Sequence, residues 1–452
     1  MSGEGLIDRR LRQIAGVVVA ASVVVAASLV VAPRPLQAKK IKDIEPTTAR
    51  LREGRDHLLH GKPGVVLSLF GAKAVPTKLA NTAKTAKTAK TAKSMKTSRS
   101  PDRPQPPTEH STPQLFGRPD LRKATSAEKA LCALAYARLG QDKLARAAIR
   151  GCKTEPCVLA AARIEQLFGS RRGRLKVLST AIRKHATTAV QVALGEALQD
   201  VGQKFAARRL LDPLADRYQN GELKEIDDLV NVARSLALNG YFKDANEVMA
   251  EAGEGAVDEH ERLKVELHWG LLFLSKTNFR DADLSLERVL KIDPFHPEAT
   301  VAMAQIDLGS DNDVRKARKR LDALLKRQPR HAGALAMRAE VAIRDEELPQ
   351  ARTFAQKALA IRPDLAAGLH ALGAVALRMD DNKAWKKIEK TALSHNRGDG
   401  ELYVKAAHYL ELGHRYPEVL KLLQLALKRD PELWQAHAQL GLSFARVADD
   451  KS

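Results

Sequence analysis

The chain has 452 residues, too many for one ordinary core, so several domains or a repeat array are expected. Apolar residues make up 44% but aromatics only 4%, so alanine and leucine must carry the packing, which favours an all-α fold. The net charge of +21 is lopsided: residues 1–123 hold 23 Lys+Arg against 9 Asp+Glu, while the remainder holds 52 against 45, which argues against specific nucleic-acid binding by the folded part.

Residues 1–38 read as a signal peptide or N-terminal membrane anchor. Arg9, Arg10 and Arg12 precede an uncharged apolar run from Ala15 to Ala32. As a helix that run would span roughly 27 Å, marginal for a bilayer. Pro33 and Pro35 then break it, and Ala38 offers a small residue for cleavage before Lys39. Cleavage is the favoured reading. Either way the bulk of the chain is expected outside the cytoplasm: periplasmic or secreted, or alternatively held at the inner membrane.

Residues 39–76 carry a weak helix pair, with Thr47–His60 helix-like, a turn at Gly61 and an apolar stretch from Val65 to Phe70. Residues 77–115 are low-complexity. Lys84, Lys87, Lys90, Lys93 and Lys96 recur every third residue and prolines cluster after them. With nothing to bury, this segment is expected to be a disordered linker. It has no aromatics on which bases could stack. A solvated spacer is the favoured reading; contact with an anionic envelope polymer is the other.

Residues 116–187 form degenerate helix pairs, with Tyr136, Gly140 and Ala145 at packing positions. They also hold all three cysteines, Cys132, Cys152 and Cys157, without a CxxC or zinc spacing. These are either buried small apolar side chains or, in an oxidising compartment, include one Cys152–Cys157 disulfide.

Over 188–448 the decisive signal is spacing. Pro294, Pro329, Pro363 and Pro431 each end an apolar-periodic helix, at intervals of 35, 34 and 68 residues. Within 263–294, Trp269-Gly270 is followed by Phe273, Phe279, Ala282, Leu286 and Pro294. Gly270 and Ala282 are small where two antiparallel helices must approach closely. Leu194-Gly195, Val232-Ala233, Leu372-Gly373 and Leu440-Gly441 repeat the theme, although Trp385 crowds a small position and Arg397 replaces an expected proline. The last first-helix has no partner and reads as a cap.

This pattern resembles the tetratricopeptide repeat family. The resemblance implies a right-handed superhelical α-solenoid of roughly nine helix pairs plus the cap, following a disordered N-terminal segment. It also implies a concave groove lined by first helices that binds extended peptides. Mapped onto this chain, the groove positions are Arg234, Arg344, His370, Arg378 and His408, with Leu267 and Leu271 apolar. An arginine-bearing groove would suit carboxylates or an acidic segment.

No catalytic motif is present: no GxSxG, HExxH, Walker loop or GxGxxG after a strand. His57 and His60 share a helix face but lack carboxylate partners for a metal. The chain is therefore expected to be no enzyme and to hold no cofactor or metal. The expected function is a non-catalytic scaffold or assembly factor in the cell envelope, with other proteins or extended peptides as partners. The alternative is a cell-wall- or lipopolysaccharide-associated module, held by its lysine-rich linker to an anionic polymer and positioning an enzyme.

Overall fold

The structure is a computed structural model that describes residues 46–72, 74–75, 115–116 and 121–449. The expected export segment, most of the lysine-rich linker and the expected disorder lie outside the described residues.

Ten antiparallel helix pairs and one last helix follow in chain order among the described residues. They are α1 (Pro46–Leu59) with α2 (Pro63–Leu69), α3 (Ser126–Arg138) with α4 (Asp142–Ala148), and α5 (Glu155–Phe168) with α6 (Arg171–Ala181). Next come α7 (Thr188–Asp200) with α8 (Lys204–Gln219), α9 (Ile226–Leu238) with α10 (Phe242–Gly255), and α11 (Glu259–Ser275) with α12 (Phe279–Ile292). The array continues with α13 (Pro297–Gly309) and α14 (Val314–Arg327), α15 (Ala332–Arg344) and α16 (Leu348–Ile361), and α17 (Ala366–Arg378) and α18 (Asn382–His395). It ends with α19 (Glu401–Glu411), α20 (Tyr416–Arg429) and the single α21 (Trp434–Asp449). Between α2 and α3, β1 (Ala74–Val75) pairs antiparallel with β2 (Leu115–Phe116), Ala74 opposite Phe116. This small ladder joins the two ends of the lysine-rich segment.

Local chemistry explains where these helices start and stop. Thr125 and Asp258 each make a capping box, with Glu128 and Glu261 as the reciprocating residues of α3 and α11. The helices α12, α14, α16 and α20 each end two residues before the proline that marked their unit in the sequence. In nine of the ten pairs the inner turn carries one residue with positive φ; the α5–α6 turn at Gly169 and Ser170 does not. Early units supply glycine, at Gly61, Gly140, Gly202 and Gly240. Later units use Thr277, Asn312, Glu346, Asp380 and His414, at intervals of 34 or 35 residues.

Packing within a pair depends on the small residues. A Cβ on Gly270 would lie 2.7 Å from Leu286 Cγ, and one on Gly195 2.7 Å from Leu211 Cδ1. The crowding at Trp385 resolves the same way: the indole is buried against Gly373 and meets Tyr403 edge-on. Trp434, unlike Trp385, is not a core residue. It is 38% exposed at the start of α21, with the Lys276 ammonium 5.4 Å from its ring.

Contacts also run far beyond neighbouring units. The Arg171 backbone N–H donates to Asp364 Oδ2 at 2.5 Å, 193 residues later. Lys204 pairs with Asp430 at 2.5 Å, and Arg330 donates to Gly140 O at 3.0 Å and Asp142 at 2.8 Å. Arg138 pairs with the buried Asp293. With units of about 34 residues, separations of 155 to 226 residues mean that one superhelical turn takes roughly five to seven units. The second turn thus stacks on the first. Leu59 of α1 lies in one buried cluster with Leu263, Leu267 and Leu286, and His60 pairs with Glu259 at 3.2 Å, so the first turn closes on itself through α11 and α12.

Candidate binding channel

The first helices of the first six pairs, α1, α3, α5, α7, α9 and α11, face inward around a cavity of about 1980 Å3. Its walls fall into zones set by position along those helices. Acidic residues gather where the helices begin: Glu155, Glu225, Asp227, Asp228, Asp258 and Glu261. There they complement the exposed backbone N–H groups of each first turn. Half-way along, successive first helices place Arg163, Glu196, Arg234 and His268 about one unit apart. Arg174, from α6, joins this belt. The far end meets the second turn through Glu401, Asp430, Glu432 and Trp434. The channel is therefore a cup with an acidic mouth and a belt rich in arginine.

Glu196 organises the belt. It accepts from Arg174 at 2.6 Å and pairs with Arg234 on its other oxygen. Arg174 reaches Asp200 as well, at 3.0 Å. Burial alone would raise the Glu196 carboxyl, but the two guanidiniums outweigh it and hold it down to about 2. Arg163 is pushed down to about 10, by burial first and then by Arg174. Burial, then Arg234, keeps the His268 imidazole neutral far below its ordinary range.

The depressed carboxyl makes acid stability a test. Its stabilisation is complete above the unfolded value near 4.5 and disappears as pH falls towards about 2. In Glu196→Gln the stability curve is expected to be flatter by roughly 2–3 kcal/mol across that window. Urea unfolding at stepped pH measures this, and equal slopes in the two proteins would show that Glu196 is solvated.

The groove residues expected from sequence separate into two groups. Arg234 lines the channel, bonded to Asn231 at 3.1 Å as well as to Glu196, and Leu267 and Leu271 line it too. The other four sit on the second turn, outside this cavity. Arg344 bridges Asn312 and His408, each at 3.1 Å. Arg378 donates to Tyr409 O at 3.1 Å and to Glu346 at 3.2 Å. His370 presents no groove surface: it is 4% exposed and holds Asp399 at 3.0 Å, which in turn caps α19 through Leu402 N–H. Conversely, Arg138, Arg163, Arg174 and Glu196 went unnoticed in the sequence. The recurrence of a charged residue near the middle of first helices at the repeat interval is the signal for Arg163 and Glu196; Arg138, the last residue of α3, and Arg174, near the start of the second helix α6, carry no such signal.

Cys152 and Cys157 form a disulfide, and Cys132 is a free buried cysteine. Burial and then Glu128 push the Cys132 thiol up to about 12, so it is inert. His57 lies 3.8 Å from Glu53, and among the described residues no three His, Cys, Asp or Glu side chains gather as a metal set. No helix among the described residues is long and apolar enough to cross a membrane.

No protein-family model matches the sequence, and no curated protein matches it. Solved structures similar to it include the APC/C hetero-tetramer Cut9–Hcn1, 12% identical with a TM-score of 0.47, over 71% of this chain and 63% of that one. The chain thus spans less than two thirds of that protein's length. A thermophilic TPR protein of Thermus thermophilus is 21% identical with a TM-score of 0.35, over 40% of this chain and 99% of that one. A tetratricopeptide repeat protein of Parabacteroides merdae is 13% identical with a TM-score of 0.39, over 57% of this chain and all of that one. By its own paired helices, small-residue contacts and interval near 34, the described chain is a tetratricopeptide-like α-solenoid.

Proposed function

We propose that this protein is a non-catalytic scaffold that holds an extended segment of a partner protein in the channel of its first turn. The observation that carries this reading is the cup of about 1980 Å3, walled by six consecutive first helices. A segment that fits is mixed in charge. Acidic side chains reach the arginine belt, and a basic residue meets Glu225, Asp227 and Asp228 at the mouth. Leu267 and Leu271, on either side of His268 along α11, add an apolar strip at the level of the belt.

A fluorescent peptide with a basic flank and two interior glutamates tests the fit. Binding is expected to weaken about tenfold in Arg234→Gln, and to weaken as salt rises. Equal affinity for the same peptide with glutamines in place of its glutamates would remove the basis for the belt. The proposed location is the cell envelope. The N-terminal pattern and the Cys152–Cys157 bond, which suits an oxidising compartment, support it. Sequencing the N-terminus of the mature protein is expected to begin at Lys39. A cytoplasmic protein with an intact Met1 would end the proposal.

A further inference from the structure

Where the second turn lies on the first, a smaller cavity of about 200 Å3 opens between α3 and α5 below and the starts of α13 and α15 above, adjoining the channel with Arg138, Arg163, His296 and Glu298 bordering both. We propose that this inter-turn pocket binds a small monoanion with an apolar body, of the class of aromatic or branched carboxylates.

The argument begins with two histidines. His296 and His331 are the N-cap residues of α13 and α15, and both line the pocket. His296 Nδ1 accepts the Ala299 N–H at 3.4 Å, and His331 Nδ1 accepts the Ala334 N–H at 2.9 Å. An imidazole that accepts through Nδ1 carries its proton on Nε2. Neither Nε2 finds a hydrogen-bond partner among the described residues, so two ring N–H donors are unused. Burial, then Arg138 and Arg163, push His296 down to about 3. Burial, then Arg163, push His331 down to about 4, so both rings are neutral donors at neutral pH.

Three guanidiniums share the wall: Arg138, Arg163 and Arg330. Each already has one carboxylate, from Asp293, Glu298 and Asp142 in turn. Of these acids only Glu298 lines the pocket itself. The three guanidiniums and three carboxylates balance, so an anion here is held by the N–H groups of the guanidiniums and the two imidazoles rather than by net charge, which favours one negative charge over two. The apolar surface includes Leu58, Leu134, Leu167, Phe168 and Pro297, and a cavity this size accepts a body about as large as benzene. An anion seated here touches both turns and would fasten the stack.

Benzoate is the probe, titrated into the full chain with inorganic phosphate and benzyl alcohol as comparisons. The expected result is saturable benzoate binding that moves the ring signals of His296 and His331 in NMR spectra and raises the His331 titration point. Arg330→Gln should weaken binding at least fivefold. His296 borders the channel too, but Arg330 and His331 line this pocket and not the channel, so the His331 signal and the Arg330→Gln effect separate this pocket from a failed channel reading. Should Arg330→Gln unfold the protein, Gln328→Phe fills the pocket from its partly exposed rim and should abolish binding. Benzoate binding undiminished in Gln328→Phe, benzyl alcohol binding as well as benzoate, phosphate binding better, or histidine signals unmoved at saturating benzoate would each overturn the proposal.

Discussion

Asp293→Ala is expected to lower the unfolding free energy by about 3–5 kcal/mol. Asp293 is 1% exposed, in the turn between α12 and α13, and accepts from Arg138 of the other superhelical turn. It also accepts the Phe295 N–H at 3.2 Å and lies against Gly61, whose added Cβ would meet its Oδ1 at 2.7 Å. Without the carboxylate, the Arg138 guanidinium keeps only Leu58 O, at 2.7 Å, and its side chain is 13% exposed. A buried charge stripped of its partner costs far more than an exposed pair contributes. Replacing both, as Arg138→Leu with Asp293→Ala, should therefore recover much of the loss. Urea unfolding of the three proteins measures it; a loss below about 1 kcal/mol in Asp293→Ala would mean that water reaches the latch.

The second large effect lies inside one pair. Leu286 is fully buried, and Leu286→Ala should cost about 2–5 kcal/mol as a cavity opens beside Gly270. Gly270→Val places a branched Cβ 2.7 Å from Leu286 Cγ, and should cost about 1–3 kcal/mol through overpacking. The two changes are opposite in volume at one contact. Their combination should thus be milder than the sum, by about 1 kcal/mol or more. Strict additivity would show that the helices had already moved apart in one of the single variants.

The fold was largely legible because a repeat writes the same packing solution many times. Gly270, Ala282 and Leu286 announce one helix contact, and the prolines announce its interval. The contact between turns has no such redundancy. Asp293 and Asp364 read as ordinary turn carboxylates, and Arg138 and Arg171 as ordinary helical cations. They meet only because the superhelix closes, bringing together residues 155 and 193 positions apart, roughly five to six units of 34, with a pitch set by small rotations at every junction. The same blindness explains the groove residues. Arg234 faced the channel because the first turn encloses it. His370 did not, because Asp399 from the next unit drew it into the junction.

The stacking of one turn on another has a consequence for how the chain folds. An isolated row of helix pairs frays from its ends and folds through local steps. Here Arg171 must find a partner made 193 residues later, so part of the native structure waits on a long loop closure. During vectorial synthesis the early pairs are complete well before the residues that will cover them exist. Until then Arg138 and Arg163 stand in water, and the rim that Asp293 and Glu298 will later seal is open to any anion that arrives first.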